Sequence, residues 1–197
     1  MRMGDKSVQK KKYIMQKARN VFCRNGYRAV TMKDIVEACD ISRGGLYLYF
    51  SNTKELFEAV LAEEYAGEEA VLEKARAAHA TPGEVMLVYL DEQKKMILRK
   101  KDNITAAIYE YLFENKPAKN DNPVKKLFQE NVTALEKLIA DGVEQEWMVC
   151  EDVAEAARNI AYTMEGLKIS AQTIGVTAEA VDREIEYIMG TLGMVVK

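Results

Sequence analysis

Apolar residues recur at helical spacing along almost the whole chain, and no stretch alternates convincingly as a strand would. Ile14, Ala18, Val21 and Phe22 make one helical face, and Asn25-Gly26-Tyr27 ends that helix. Met32, Ile35, Val36 and Cys39 fall at i, i+3, i+4 and i+7, and Leu46, Tyr49 and Phe50 continue the rule on a second short segment. From Thr53 onward the pattern predicts helices over about 53–80, 84–101, 103–113, 124–147, 152–174 and 178–196. Breaks fall at Pro82-Gly83, at the polar Asn115–Pro123 stretch and at Gly175. Arg99, Lys100 and Lys101 suit the last turn of the second of these helices, and Thr177 the cap of the last. The expectation is an all-α chain of about nine helices, three of them in the N-terminal part.

The turn between the two short segments is tightly specified. Thr31 is a good N-cap, with Asp34 placed to reach back to it and Val30 with Ile35 as its hydrophobic staple. Eleven residues later Ser42 repeats the pattern, with Ile41 and Leu46 as the staple pair. Cys39-Asp40-Ile41 must then turn sharply, and Asp tolerates the left-handed conformation such a turn needs. Two capped starts this close leave room only for a tight helix pair, the unit that places a recognition helix in the DNA major groove. The outward face of the second helix carries Arg43, Gly44, Tyr47 and Leu48. Glycines in a first turn cost about 1 kcal/mol each relative to Ala, and backbone lying close to a phosphate or base edge explains Gly44 and Gly45.

Thr31, the run Ile41-Ser42-Arg43-Gly44, Leu46-Tyr47 with Tyr49-Phe50, and Lys54-Glu55-Leu56 together resemble the DNA-binding signature of the TetR family of dimeric transcription regulators. The resemblance covers roughly residues 10 to 60 and implies an N-terminal helix-turn-helix domain over 1–52 and a helical effector-binding and dimerisation domain over 53–197. Three departures stand out. Asp40 replaces the family's usual Gly; Leu48, where a polar or aromatic residue is common, could touch a thymine methyl; and the approach to Lys54 is one residue longer. Ser42, Arg43, Gly44 and Gly45 are the candidates for base edges, Arg43 being able to give two bonds to a guanine. Thr31, Lys33, Tyr47 and Lys54 are the candidates for phosphates, which set register without reading sequence.

Charge strengthens this reading once it is divided. The net charge of −3 conceals +8 over residues 1–54 and −11 over the rest. A basic end beside a helix-turn-helix is the footprint expected for a phosphate backbone, although Lys10-Lys11-Lys12 alone would also suit a solvated helix start. The chain is long enough for a substantial core. It has no apolar run approaching the eighteen or so residues of a membrane span, and its start leads into charge instead of an apolar signal core. No membrane partner and a cytoplasmic location are therefore expected. Cys23, Cys39 and Cys150 lack the spacing of a disulfide framework or a zinc site, and no cofactor is implied.

Small and apolar residues alternate on the last two helices: Ala157, Ile160, Ala161, Met164, Leu167 and Ala171, then Val181, Ile185, Ile188, Met189 and Leu192. With Gly166 permitting close approach, they are candidates for a homodimer interface, and the family resemblance implies a four-helix one. Packing of both stripes inside one subunit is the competing reading. A dimer also suits the task, since a two-fold pair reads both half-sites of a palindromic operator in double-stranded DNA. Met86, Tyr89, Gln93, Met96, Tyr109, Phe113, Phe128, Trp147 and Tyr162 combine aromatics, methionines and a few polar tips, as a small-molecule pocket does and as any helical core does. The resemblance implies an effector cavity here, and the scarcity of charge favours an apolar or aromatic effector. An enzyme is disfavoured: His79 is the single histidine, and Glu63-Glu64 and Glu68-Glu69 are adjacent instead of stacked on one face. A helix-turn-helix protein governed by a partner protein, without a small-molecule ligand, is the alternative.

Overall fold

The computed structural model describes residues 3–78, 80–118 and 121–194, so His79, Lys119, Asn120 and Val196 lie outside the described residues, as do the side chains of Glu68 and Glu69. The described residues form nine α-helices: α1 Met3–Asn25, α2 Met32–Cys39, α3 Arg43–Tyr47, α4 Thr53–Ala77, α5 Pro82–Leu98, α6 Thr105–Asn115, α7 Pro123–Glu144, α8 Val153–Thr173 and α9 Ala178–Thr191. No strand occurs among them. They divide into two compact units, one of Met1–Ala66 with Lys100–Ala118 and the other of Gly67–Arg99 with Lys119–Lys197.

In the N-terminal unit α2 packs on α1 and α3, and α6 packs on α1. Its centre is aromatic. Phe22 and Phe57 meet edge to face at 4.8 Å, Tyr27 lies 4.9 Å from Phe57, and Tyr111 of α6 meets Tyr27 at 5.2 Å with the rings perpendicular. Such geometry aligns positive ring edges with negative faces and adds about 0.5–1.5 kcal/mol per pair beyond burial. The Tyr111 hydroxyl donates to Glu58 at 2.5 Å, which satisfies the polar end of a fully buried ring. Burial, followed by this bond to a carboxylate, pushes the Tyr111 phenol up.

In the C-terminal unit α5, α7, α8 and α9 share a second core, with Met86, Leu90, Ile139, Ala157 and Val181 among its most buried members. Lys94 of α5 pairs with Asp182 of α9 at its edge.

Several helix ends differ from expectation, each for a local reason. Helix α5 begins at Pro82, because Thr81 and Glu84 cap each other's backbone and proline suits a first turn. It stops at Leu98: Arg99 turns extended while its N–H returns to Met96, so Arg99, Lys100 and Lys101 lie beyond the helix. Helix α6 starts at Thr105, two residues later than the spacing predicts, and ends at Asn115. Ile104 holds the N-cap place without a side-chain bond, and Asn103 accepts from the Thr105 amide at 2.9 Å. Helix α7 ends at Glu144, short of Trp147, because the Trp147 and Met148 amides both fold back onto the Gly142 carbonyl. A Cβ at Gly142 would lie 2.6 Å from the Met148 sulfur, so the glycine makes room for this return.

Candidate nucleic-acid interface

The two N-caps form as their residue types require. The Asp34 amide donates to the Thr31 hydroxyl while the Asp34 carboxylate accepts from the Thr31 amide at 2.7 Å, completing a capping box. The bond to the Thr31 hydroxyl, followed by that to its amide, holds Asp34 below the usual carboxylate range. The Gly45 amide donates to the Ser42 hydroxyl at 3.1 Å. Between them Asp40 sits at φ 50 and ψ 51, the left-handed conformation that the family's usual glycine adopts without strain.

These caps bring the second short helix to the surface with a sharply divided face. Leu46 and Phe50 are fully buried, with Tyr49 half-buried beside them. Ser42, Arg43, Gly44 and Tyr47 are exposed, and the Arg43 guanidinium lies over the Tyr47 ring at 5.5 Å. Leu48 is 84% exposed, an unusual position for a large apolar residue. Thr31 and Lys33 are exposed at the start of α2, and Lys33 loosely pairs with Glu37 at 3.7 Å. Lys54 is exposed in the first turn of α4, 3.9 Å from Glu58. That turn is capped by Asn52, which accepts from the Glu55 amide, and Glu55 in turn accepts from Ser51. Lys11 adds a cation on α1, above the Phe50 ring at 5.3 Å.

The glycine pair separates into two cases. A Cβ at Gly45 would lie 3.1 Å from the Ser42 hydroxyl, a tight contact that the cap would relieve by a shift of a few tenths of an ångström. At Gly44 nothing lies within 4 Å of where a Cβ would stand. No contact inside the described residues asks for glycine there.

One element of the unit has no local signal in sequence. Gly26, at φ +76, closes α1, and the Glu110 carboxylate of α6 accepts from the Tyr27 and Arg28 amides at 2.7 and 3.0 Å. A Cβ at Gly26 would come within 2.6 Å of both carboxylate oxygens. Arg19 of α1 is likewise clamped, paired with Glu64 and donating to the Asp102 carbonyl at 3.1 Å. The bond to Glu64 raises the Arg19 guanidinium's value. These partners lie 45 to 83 residues apart in sequence, which is why local spacing does not reveal them.

The other candidates divide between the units. Tyr109 and Phe113 belong to the N-terminal unit, where Phe113 is exposed. In the C-terminal unit Met86, Tyr89 and Gln93 are buried, Met96 and Phe128 are half-buried, and Trp147 and Tyr162 are exposed. Phe128 and Tyr162 are in ring contact at 4.8 Å, and Trp147 lies over Gly83. Of the stripes on α8 and α9, Ala157, Ile160, Ala161, Met164, Val181, Ile188, Met189 and Leu192 are buried in the subunit's own core. Leu167, Ala171 and Ile185 are half-buried at its margin, and Gly166 is exposed.

An all-helical chain with a capped helix pair, a solvent-facing Arg-Gly-Gly turn and a basic N-terminal part defines a helix-turn-helix DNA-binding regulator. The family model of bacterial regulatory proteins, tetR family, matches residues 14–60, and regulators of that family are among the relatives and solved structures that the chain resembles. The chain is 29% identical over 156 residues to the uncharacterized HTH-type transcriptional regulator YfiR of Bacillus subtilis, covering 78% of this chain and 76% of the relative. It is 35% identical over 63 residues to the HTH-type transcriptional repressor AcnR of Corynebacterium efficiens, covering 32% of this chain and 34% of that one. A TetR-family regulator from Agrobacterium tumefaciens shares the fold at TM-score 0.77 and 18% identity, over 94% of this chain and 98% of the other. An ArpA-like gamma-butyrolactone receptor does so at TM-score 0.62 and 17% identity, over 94% and 97%. No helix of the described residues is long and apolar enough to cross a membrane.

Proposed function

We propose that the chain is a homodimeric repressor that binds a palindromic operator through α3 and releases it when a small, apolar or aromatic effector binds. Residues 1–52 do the reading; residues 53–197 carry dimerisation and effector binding. The observation that carries the reading is Gly44, a glycine with no internal reason, next to an exposed arginine and at the start of an outward-facing helix. In this reading Ser42, Arg43, Gly44 and Gly45 meet base edges, while Thr31, Lys33, Tyr47 and Lys54 hold phosphates. The local relative AcnR, described as a repressor, supports repression over activation. The lactone receptor among the structural neighbours supports control by a small molecule over control by a partner protein.

The dimer would join α8 and α9 of two subunits through the faces left outside the core, where Gly166 lies. The effector would favour a conformation in which the two recognition helices no longer stand about 34–36 Å apart. Linkage then requires DNA to weaken effector binding by the same factor. Selection of bound fragments from genomic DNA with purified protein tests the reading. Recovery of fragments sharing a two-fold symmetric sequence is expected, and failure to enrich any sequence contradicts it.

A further inference from the structure

We infer that Gln93 is the polar anchor of an effector site inside the C-terminal unit, and that the effector is a neutral, apolar or aromatic molecule carrying a hydroxyl group. This rests on the effector-controlled reading above and names the chemistry of its site. Gln93 is 4% exposed, and its side-chain oxygen has no hydrogen-bond partner. It shares a face of α5 with Met86, Tyr89, Leu90 and Ile97, all buried, at the i, i+3, i+4 spacing of one helical stripe. A closed core gains nothing from such a group. An orphaned buried carbonyl forfeits the hydrogen bond it made to water, and leucine would occupy a similar space without that loss. Helix propensity does not call for glutamine either, since Gln and Leu are nearly equal.

The surroundings indicate what would complete it. One turn before Gln93, the Tyr89 hydroxyl accepts from the Asn131 side-chain amide at 3.3 Å, so a second polar tip lies on the same stripe. Met86, Met164 and Met189 belong to the same core, and their flexible thioethers reshape readily around a guest. Among the described residues no charged side chain is buried, so a charged guest would have no counter-ion. The unpaired group is an acceptor, so the guest must offer a donor, and a hydroxyl does so without carrying charge.

The test uses two matched probes, 4-butylphenol and its methyl ether, with full-length wild-type protein and Gln93→Leu. Binding is followed by calorimetry and thermal melting. The wild type is expected to bind the phenol about tenfold more tightly than the ether, the worth of one hydrogen bond, and Gln93→Leu to bind both alike. Without probe, Gln93→Leu is expected to melt no lower than the wild type. Equal affinity of wild type for the two probes, no binding of the phenol, or a lower melting point of the unliganded variant would each overturn the assignment. Operator release by a compound lacking a hydroxyl would leave the effector-controlled reading standing without this anchor. Release by no small molecule at all would remove that reading itself.

Discussion

The two units place their unusual residues differently. In the N-terminal unit they face outward: Leu48 is 84% exposed, Arg43 lies over an exposed tyrosine, and Gly44 borders open space. Its interior is ordinary and well satisfied, with Tyr111 bonded to Glu58 and the end of α1 held by Glu110. The C-terminal unit also exposes large apolar side chains, Ile174 at 84% among them, but its interior differs: there the Gln93 side-chain oxygen is unpaired among apolar neighbours. A surface that gives up helix stability reads as one built to meet another molecule. A core that gives up a hydrogen bond reads as one built to enclose one.

Substitutions in the N-terminal unit test this difference, the largest expected effect first. Gly26→Ala should destabilise the protein by about 2–3 kcal/mol, because it forces an L residue into a left-handed conformation and displaces Glu110 from two amides. Chemical denaturation measures this, and an unchanged midpoint would show that the N-terminal interior is not fixed from α6. Arg43→Ala should weaken operator binding by about 1–3 kcal/mol, the value of a bidentate base contact, with no loss of melting temperature. Tyr111→Phe should cost about 1.5 kcal/mol of stability through loss of the bond to Glu58, with operator contacts intact.

Gly44→Ala is the smallest in energy and the most discriminating. It should raise stability by about 0.5–1 kcal/mol, since nothing opposes a Cβ and alanine favours helix, while lowering operator affinity. A variant that gains stability without losing affinity would leave the glycine unexplained. Acid should act weakly on the same unit. Asp34 is held below its ordinary range by the Thr31 hydroxyl, so its contribution is complete above that range and lost as pH falls through the lowered value. Asp34→Asn should accordingly flatten the acid limb of the stability curve.

Much of the N-terminal unit was legible because its determinants are local. Thr31 with Asp34, Ser42 with Gly45 and the left-handed Asp40 each act within three residues, and all three stand where their chemistry requires. The helical class and the positions of most helices followed from apolar spacing, which reports burial one turn at a time. Ends were harder, as at α7, where Gly142 receives amides from a segment beyond the helix. The Glu110 grip on the end of α1 was not legible, since its partners are 82 and 83 residues away. On α8 and α9 spacing identifies apolar faces but not whether they meet the subunit's own core or a second copy, and residues such as Ile160 and Met189 lie in the former. Gln93 could be recognised as a polar residue on an apolar stripe, but its unpaired oxygen is a property of three-dimensional packing alone.

Whether α3 reads DNA as one of a two-fold pair is decided by footprinting the full-length protein on a selected fragment, with Arg43→Ala in parallel. Two symmetric protected patches, with major-groove centres about 34–36 Å or a multiple apart, are predicted for the wild type, and loss of protection for the variant at the same concentration. A single asymmetric patch, or identical protection by both proteins, would contradict paired reading by α3.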